Sequence, residues 1–400
     1  MKSIKDMDLS GKKVLVRVDF NVPLSPEGAI EDDARIQAAL PTLRFAVEKG
    51  AKLIVASHLG RPKGAVVPAF SLAPVAVRLE KLLERNVTLA PDCVGPEVET
   101  MVERMRPGEV VLLENLRFHK EEQANEDAFA EALANLCDLY VNDAFAVSHR
   151  ANASVVGITK YAPAKAAGFL LEKELTWFER AMHEPRRPLV AVIGGAKISS
   201  KLAALENMLQ HVDKIMVGGA MANTFFRYFG YDVGASTFEA DQVEVAGDVY
   251  RQSIERGIKF YTPVDVVIAR RMEATAEHRA VPVQEIAPGW MALDIGPATG
   301  LLFEEALVDA GTILWNGPMG VFEMDPFSRG TLSLARAIAA SQAMTVVGGG
   351  DTGSAVHISG KARRMSYIST GGGAFLALME GKPLPAVAAL EKQAPSPDKP

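Results

Sequence analysis

The sequence predicts an α/β protein of two lobes, each built from a parallel sheet with helices on both faces. Along its 400 residues, short runs rich in Val, Ile and Leu alternate with segments in which apolar residues recur at helical spacing. Strands that are apolar on both faces and alternate with helices are typical of covered parallel sheets. Turn-prone residues at 162–168 and 184–188 flank one long helical segment at 169–183, which separates the two halves.

The individual elements follow from apolar spacing and from residues that start or stop helices. Strands are predicted at residues 14–18, 53–56, 110–113, 139–141, 189–193, 214–217, 313–315 and 344–347. Helices are predicted at residues 34–49, 73–83, 127–136, 201–210 and 329–340. We therefore place the first lobe at residues 1–168 and the second lobe at 169–383. The helix at 169–183 is either a hinge or a simple scaffold helix, and the sequence leaves both open.

Composition narrows the class of protein. The formal net charge is −6, from 43 basic and 49 acidic residues, which argues against a general binder of nucleic acid or anionic membranes. Cys93 and Cys137 form no C-x-x-C pair, so both are expected to be buried thiols in a reducing compartment. The chain has neither the apolar core of a signal peptide nor a run of about eighteen apolar residues. We therefore expect a cytoplasmic protein.

Basic residues collect where the strands of the first half end. In parallel sheets, ligands bind at the carboxyl ends of the strands, so the residues that follow each strand carry most information. Several basic side chains at these ends of an acidic protein favour a bound phosphate or carboxylate over isolated surface ion pairs. We call this set the basic rim, and it consists of Arg35, His58, Arg61, Arg117, His149 and Arg150.

The strands of the second half end in glycines. Glycines let backbone N–H groups approach an anion closely, and a following helix directs its positive end toward that anion. The segments 194–201, 218–221, 315–323, 348–352 and 369–373, which we call the glycine loops, predict an anion and nucleotide surface. Neither G-x-x-x-x-G-K-[ST] nor G-x-G-x-x-G after the first strand occurs, so this surface is no ordinary P-loop or dinucleotide site. Within 194–201, Lys197 and Lys201 are expected one helical turn apart on one face.

Ordered motifs over about residues 14–387 make the chain resemble the phosphoglycerate kinase family. These motifs are Arg17-Val18-Asp19-Phe20-Asn21-Val22-Pro23, Ser57-His58-Leu59-Gly60-Arg61-Pro62, Leu113-Glu114-Asn115-Leu116-Arg117-Phe118, Gly194-Gly195-Ala196-Lys197, Trp315-Asn316-Gly317-Pro318, Gly348-Gly349-Gly350-Asp351-Thr352 and Ser369-Thr370-Gly371-Gly372-Gly373. The resemblance implies two Rossmann-like lobes, the first binding 3-phosphoglycerate or 1,3-bisphosphoglycerate and the second binding Mg-ADP or Mg-ATP. It also implies a monomer whose tail, residues 384–400, packs back on the first lobe.

The resemblance assigns roles to individual residues. The residues that it implies contact the acid substrate are Asp19, Asn21, Arg35, His58, Leu59, Gly60, Arg61, Arg117 and Arg150. The residues that it implies bind the nucleotide are Lys197, Lys201, Gly219, Asn316, Glu323, Gly349, Gly350, Asp351 and Thr352. Among these, Glu323 is expected at the ribose and Asp351 at Mg²⁺, while the catalytic residues are Arg35, Lys197 and Lys201. The chain departs from the family pattern at Ala146-Val147-Ser148 and at Asn152, and these changes flank Arg150 without removing it.

The chemistry of phosphoryl transfer agrees with this assignment. Its transition state is loose, so catalysis consists mainly of positioning and cationic stabilisation and needs no protein nucleophile. We therefore interpret His58 and His149 as ligand or structural residues, and expect direct in-line transfer when closing lobes exclude water.

Two other classes of function fit the sequence less well. A nicotinamide dehydrogenase would share the doubly wound lobes, but it should carry the glycine fingerprint after an early strand, which this chain lacks. A non-catalytic scaffold, or an enzyme recruited to bind nucleic acid or another protein, would be expected to have lost charged site residues. Those residues are present here.

Overall fold

The structure is a computed structural model, and it describes residues 1–392. The strands in that range are β1 Lys13–Arg17, β2 Lys52–Ala56, β3 Val87–Leu89, β4 Val110–Leu112, β5 Leu139–Asn142, β6 Lys165–Ala167, β7 Leu189–Ile193, β8 Lys214–Val217, β9 Lys259–Tyr261, β10 Asp265–Ala269, β11 His278–Pro282, β12 Met291–Ile295, β13 Thr312–Asn316, β14 Met344–Gly348 and β15 Tyr367–Ile368.

The α-helices alternate with these strands along most of the chain. They are α1 Ala34–Glu48, α2 Ala73–Leu83, α3 Pro96–Glu103, α4 Lys120–Ala124, α5 Asp127–Asn135, α6 Phe169–Met182, α7 Leu202–Met208, α8 Ala222–Tyr228, α9 Val243–Glu255, α10 Pro297–Leu307, α11 Arg329–Ala340, α12 Gly350–Ile358, α13 Gly372–Met379 and α14 Pro385–Glu391. None of the helices within residues 1–392 is both long and apolar enough to cross a membrane.

The first lobe is organised around a parallel sheet with the strand order β3-β4-β2-β1-β5-β6. Alternate residues of β1 and β2, such as Val16 and Val55, pack in one apolar core with Leu43 of α1 and Leu79 of α2. Because the strands are parallel, their carboxyl ends meet at a single edge of the sheet. The residues of the basic rim follow these ends or start the helix behind them.

The second lobe repeats this plan with the strand order β15-β14-β13-β7-β8-β9, again parallel throughout. Its largest buried side chain, Trp315 of β13, shares a core with Phe303 of α10 and Leu334 of α11. The parallel α/β architecture predicted from the sequence is thereby confirmed for both lobes.

A small antiparallel sheet, β11-β10-β12, extends the second lobe and was absent from the sequence prediction. Its core contains Phe226, Ile268 and Trp290, and the guanidinium groups of Arg270 and Arg279 lie 4.9 and 4.7 Å from the Trp290 ring centroid. Strand β11 is largely exposed, so it lacks the continuous apolar run that indicated the other strands.

The chain divides into two compact units, one from residues 1–175 with 383–392 and the other from residues 176–382. The division falls inside α6, between Leu175 and Thr176, whereas the sequence placed it before this helix. Helix α14 lies in the first unit, where Lys165 Nζ donates to the carbonyl of Ala389 at 2.8 Å. Residues 393–400 of the predicted returning tail lie outside the described residues.

Helix α6 starts against a buried carboxyl group. Asp143, directly after β5, accepts hydrogen bonds from the backbone N–H groups of Leu170 at 2.8 Å and Leu171 at 3.2 Å. A Cβ on Gly168 would lie 2.3 Å from Asp143 Oδ1, so a glycine is needed where the chain turns into the helix. Burial raises the pKa of Asp143 to about 6.

The sequence located the central strands well and the sheet edges poorly. The predictions for 189–193 and 214–217 coincide with β7 and β8, and the other predicted strands differ from the observed ones only at their ends. The missed strands β3, β6, β9 and β15 are only two or three residues long, too short for a period to be visible.

One prediction from this fold concerns Asp294, a buried residue of β12. Burial raises its pKa to about 8, although the N–H groups of Gly330 and Ile295 donate to it at 2.7 and 2.9 Å. The native state therefore keeps a proton that the unfolded chain releases near its ordinary value of 3.8. The stability due to this proton is complete below that value and is lost as the pH rises through about 8, at up to ~1.4 kcal/mol per pH unit.

Urea unfolding at several pH values, followed by tryptophan fluorescence, checks this, because Trp177, Trp290 and Trp315 all lie in the second lobe. Asp294→Asn should flatten the dependence of unfolding free energy on pH, whereas Asp241→Asn, at an exposed position, should preserve it. An Asp294→Asn variant with the parent's slope would refute the assignment.

Candidate functional site

Asp19 is the centre of the polar cluster at the strand ends of the first lobe. Its Oδ2 accepts from Arg35 Nη1 at 2.8 Å, and its Oδ1 accepts from the N–H of Asn21 at 3.0 Å. Burial acts to raise the pKa of Asp19, but the positive charges around it, among them those of Arg35 and Arg17, outweigh burial and hold this pKa below its ordinary value. The carboxylate is therefore ionised at neutral pH and fixes the Arg35 side chain.

His58 is buried within the same cluster. Arg17 Nη2 lies 3.2 Å from His58 Nδ1, and Asp19 Oδ1 lies 3.8 Å from the same atom. Burial is the main cause that lowers the pKa of His58 well below 6.5, so the ring is neutral at pH 7, and the arginines supply the positive charge there. This buried, bonded position supports the interpretation of His58 as a structural or ligand residue.

The loop after β2 is held by side-chain amides. Asn21 Oδ1 accepts from the N–H of Gly60 at 2.8 Å, and Asn115 bonds both the N–H and the carbonyl of Leu59, at 3.2 and 2.7 Å. Gly60 has φ of 62°, and a Cβ there would lie 2.4 Å from the Phe70 ring. The predicted residues Asn21, Leu59 and Gly60 thus form one bonded unit.

Cations repel one another at this edge of the sheet. Arg117 is 8% exposed and donates to the carbonyl of Gly60 at 2.8 Å. Burial, followed by the charges of Arg150 and Arg17, lowers its pKa to about 10. Arg150 and Arg61 are exposed, and Arg150 Nε donates to His149 Nε2 at 3.3 Å. A bound anion would relieve this repulsion, which is the arrangement expected of a phosphate or carboxylate site.

Sequence reasoning missed the buried network below the basic rim. Arg17, only 2% exposed, donates from Nε to Ser154 Oγ at 2.9 Å and from Nη1 to the carbonyl of Val18. Ser154 donates from Oγ and from its N–H to the two oxygens of Glu122, at 2.7 and 2.9 Å. The available signal was a charged residue at the end of the otherwise apolar run of β1.

The segment that departs from the family pattern is well packed. Ser148 is fully buried, and its Oγ donates to the carbonyl of Ala144 at 3.0 Å. Asn152 is also buried and donates to the carbonyl of Glu122 at 3.2 Å. These bonds hold the backbone on both sides of Arg150. Ser148 and Asn152, which differ from the family pattern, are therefore both hydrogen-bonded within the loop.

In the second lobe, the glycine loops approach each other more closely than any side chain would allow. Gly317 has φ of 102°, and a Cβ on it would lie 2.1 Å from the carbonyl oxygen of Gly194. A Cβ on Gly219, where φ is 70°, would lie 2.6 Å from the carbonyl oxygen of Gly195. The loops after β7, β8 and β13 are therefore locked together at one sheet edge.

Asn316 and Thr352 connect these loops to the start of α12. Asn316 Nδ2 donates to the carbonyl of Gly348 at 2.9 Å, and its Oδ1 accepts from Lys201 Nζ. Thr352 Oγ1 accepts from the N–H of Gly317 at 2.7 Å. Burial lowers the pKa of Lys201, whereas Glu380 and Asp351 oppose that shift. The result is a partly buried ammonium group held at the strand ends.

The expectation that Lys197 and Lys201 share a helical face is wrong. Helix α7 begins only at Leu202, and residues 194–201 form turns. The N–H of Lys201 donates to the carbonyl of Ile198 at 2.8 Å, and Lys197 is exposed. Two glycines at the strand end favour turns over helix here, as does Ser200, whose Oγ donates to the carbonyl of Lys197 at 2.8 Å.

A cleft of about 320 Å³ opens beside the glycine loops, entirely within the second lobe. Gly195, Gly219 and Pro318 line it together with apolar side chains, and the carboxylates of Glu323 and Asp351 reach it. Gly349, with φ of 103°, and Gly350 precede Asp351 in the first turn of α12. The structure thus brings together most of the residues predicted for the nucleotide side.

Comparison with known proteins agrees with the geometry. The model of the family described as phosphoglycerate kinase matches residues 4–382. A phosphoglycerate kinase of Desulfosudis oleivorans is 59% identical over 396 residues, covering 99% of this chain and 100% of the relative. The solved structure of phosphoglycerate kinase from Coxiella burnetii has a TM-score of 0.86 at 41% identity, covering 97% of each chain. For the enzyme from Pyrococcus horikoshii the TM-score is 0.84 at 33% identity, covering 98% of each chain.

The fold and these matches define a class, the nucleotide-dependent kinases built from two α/β lobes. More particularly, the chain belongs to the phosphoglycerate kinase family. It is an ATP-dependent kinase that acts on a carboxyl group. The reaction is the reversible transfer of a phosphoryl group between 1,3-bisphosphoglycerate and ADP, giving 3-phosphoglycerate and ATP in glycolysis and, in reverse, in gluconeogenesis.

A second prediction concerns the buried network. Arg17→Met leaves Glu122 buried without its main neighbouring cation and removes one of the two arginines that act on Asp19, so the free energy of unfolding should fall by about 3–5 kcal/mol. The loss should shrink at low pH, because protonation discharges both carboxylates. Far-UV circular dichroism during urea unfolding measures this. The matched control Arg104→Met, at an exposed position, should stay within ~0.5 kcal/mol, and an equal loss in both variants would argue against the network.

Proposed function

We propose that the first lobe binds the phosphoglycerate through its strand-end cluster. The residues are Asp19, Asn21, Arg35, His58, Leu59, Gly60, Arg61, Arg117 and Arg150. The observation that carries this proposal is the concentration of cations around Arg117, whose pKa is depressed to about 10 by burial and by neighbouring arginines. An anionic substrate stabilises such a cluster, whereas a neutral one does not.

The second lobe, in this proposal, binds the nucleotide at the cleft. The residues are Lys197, Lys201, Gly219, Asn316, Glu323, Gly349, Gly350, Asp351 and Thr352. Glycine backbone at the start of α12 suits the phosphates, since the helix directs its positive end toward them. The apolar lining of the cleft suits the base, and Glu323 can accept hydrogen bonds from ribose hydroxyl groups.

Asp351 is the proposed protein ligand of Mg²⁺. Its carboxylate is exposed at the cleft, and Mg²⁺ prefers oxygen ligands shared between one or two carboxylates and the phosphates of the substrate. When bound with the nucleotide, the ion would offset charge on the phosphate oxygens. Asp351 is therefore a suitable ligand for the Mg²⁺ ion that the family uses with its nucleotide.

Arg35, Lys197 and Lys201 are the proposed catalytic residues. Both hydrogen bonds from Arg35, to Asp19 Oδ2 at 2.8 Å and to the carbonyl of Asn21 at 3.1 Å, come from Nη1. A guanidinium carries five N–H donors, so Arg35 can hold Asp19 and still donate to a transferring phosphoryl group. Transfer is direct, because no residue at the site needs to act as a nucleophile.

We propose further that the enzyme works as a cytoplasmic monomer, without a nucleic-acid or membrane partner. The support is the glycolytic reaction, whose substrates are small soluble metabolites. Neither ligand requires a second subunit, because each proposed half-site is assembled from residues of one lobe.

Arg150→Ala tests the division of the ligands between the lobes. Calorimetry with each ligand alone should show weaker binding of 3-phosphoglycerate, by about 10-fold or more, and nearly unchanged binding of Mg-ADP. Arg104→Ala, an exposed arginine of the same lobe, should leave both affinities unchanged. Equal losses for both ligands in Arg150→Ala would contradict the assignment.

Arg35→Met and Lys201→Met test the catalytic role. Losing one preorganised charge donor costs about 10²- to 10³-fold in kcat, whereas a ground-state contact mainly raises KM. A coupled assay with 3-phosphoglycerate, ATP and Mg²⁺ separates the two parameters. Lys259→Met, at an exposed position of the second lobe, serves as control and should leave both kcat and KM unchanged. A change confined to KM would make Arg35 and Lys201 ordinary binding residues.

A further inference from the structure

The first lobe contains a cluster of metal-ligating side chains outside the residues proposed for either substrate. Asp92 and Cys93 lie between β3 and α3, and His119 immediately precedes α4. One ligand atom from each of the three residues lies within 4.8 Å of the others. Among residues 1–392, these three are the group of His, Cys, Asp or Glu side chains whose spacing could hold a metal ion.

The three side chains are held in place by contacts of their own. Asp92 Oδ1 accepts from the N–H of Cys93 at 2.6 Å and lies 2.7 Å from His119 Nε2. The His119 ring packs on Phe129 with 5.3 Å between the ring centroids. The distances between donors are therefore set by the fold, and a bound ion would replace the direct contact between Asp92 and His119.

The cluster is open on one side and closed on the other. The Cys93 side chain is fully buried, whereas the side chains of Asp92 and His119 are 44% and 28% exposed. A cation from solvent can thus reach the carboxylate and the imidazole, and the Cys93 sulfur lies within 4.8 Å of a ligand atom of each. Burial, followed by the Asp92 carboxyl, raises the pKa of the Cys93 thiol well above its ordinary value. Without an ion the thiol keeps its proton.

We propose that Asp92, Cys93 and His119 form a binding site for a divalent transition-metal ion of the Zn²⁺ type. Thiolate, imidazole and carboxylate are the ligands that Zn²⁺ takes in proteins, and water completes a tetrahedral set. Binding replaces the thiol proton, which is released to solvent. Mg²⁺ prefers oxygen ligands in octahedral geometry, so the magnesium used with the nucleotide does not compete for this site.

Occupation of the site has a structural consequence. The ion would tie the connection after β3 to the one after β4, which also carries Arg117, two residues before His119. A cross-link between these connections stabilises the first lobe against unfolding without any contact to the substrates. The site is thus independent of the proposed catalytic residues.

Spectroscopic titration with Co²⁺, a coloured substitute for Zn²⁺, tests the site in the full chain without nucleotide. We expect a thiolate-to-Co²⁺ charge-transfer band that saturates at one equivalent and is removed by Zn²⁺ but not by excess Mg²⁺. Cys93→Ser should abolish the band. Cys137→Ser is the matched control, because Cys137 is also a buried thiol and its Sγ bond to the Ala134 carbonyl can be kept by serine.

His119→Gln provides a second variant that keeps the thiol, in case Cys93→Ser does not fold. Removing this ligand should weaken Co²⁺ binding by about 10- to 100-fold or more. A band that survives in Cys93→Ser, an unchanged affinity in His119→Gln, or no band in the wild-type protein would overturn the proposal.

Discussion

Parallel strands deliver the segments that follow them to one edge of a sheet, and the chemistry of both lobes depends on this constraint. In the first lobe, β1, β2 and β4 end beside Asp19, His58 and Arg117. In the second lobe, β7 and β13 are followed directly by Gly194 and Gly317, whose backbones meet closely enough to exclude any Cβ. Charged side chains therefore meet at the sheet edge of the first lobe, and backbone N–H groups meet at the sheet edge of the second lobe.

Charge at such an edge must be balanced from within the protein, because buried cations without partners are costly. Asp19 and Glu122 supply that balance below the basic rim, and Arg17 lies between them with bonds to His58 and Ser154. The same network fixes Arg35 through Asp19. An anionic ligand therefore meets side chains whose positions are already determined.

The central strands and most site residues could be predicted because apolar runs, glycines and basic residues are visible in a linear sequence. Short edge strands such as β15 were not, since two residues show no period. The turn that separates Lys197 from Lys201 was misjudged because helical spacing was inferred across glycine and serine residues. The Arg17 network and the cluster of Asp92, Cys93 and His119 join segments far apart in the chain, and only the fold brings them together.

Hydrogen–deuterium exchange of the whole enzyme with each ligand alone tests most directly whether the two half-sites are separate. We predict that 3-phosphoglycerate protects segments around residues 19–21, 58–61 and 115–118, and that Mg-ADP protects 194–201, 316–323 and 348–352. Amides of the other lobe's strand ends should change little in each case. Protection of the same strand-end segments by both ligands would contradict the account.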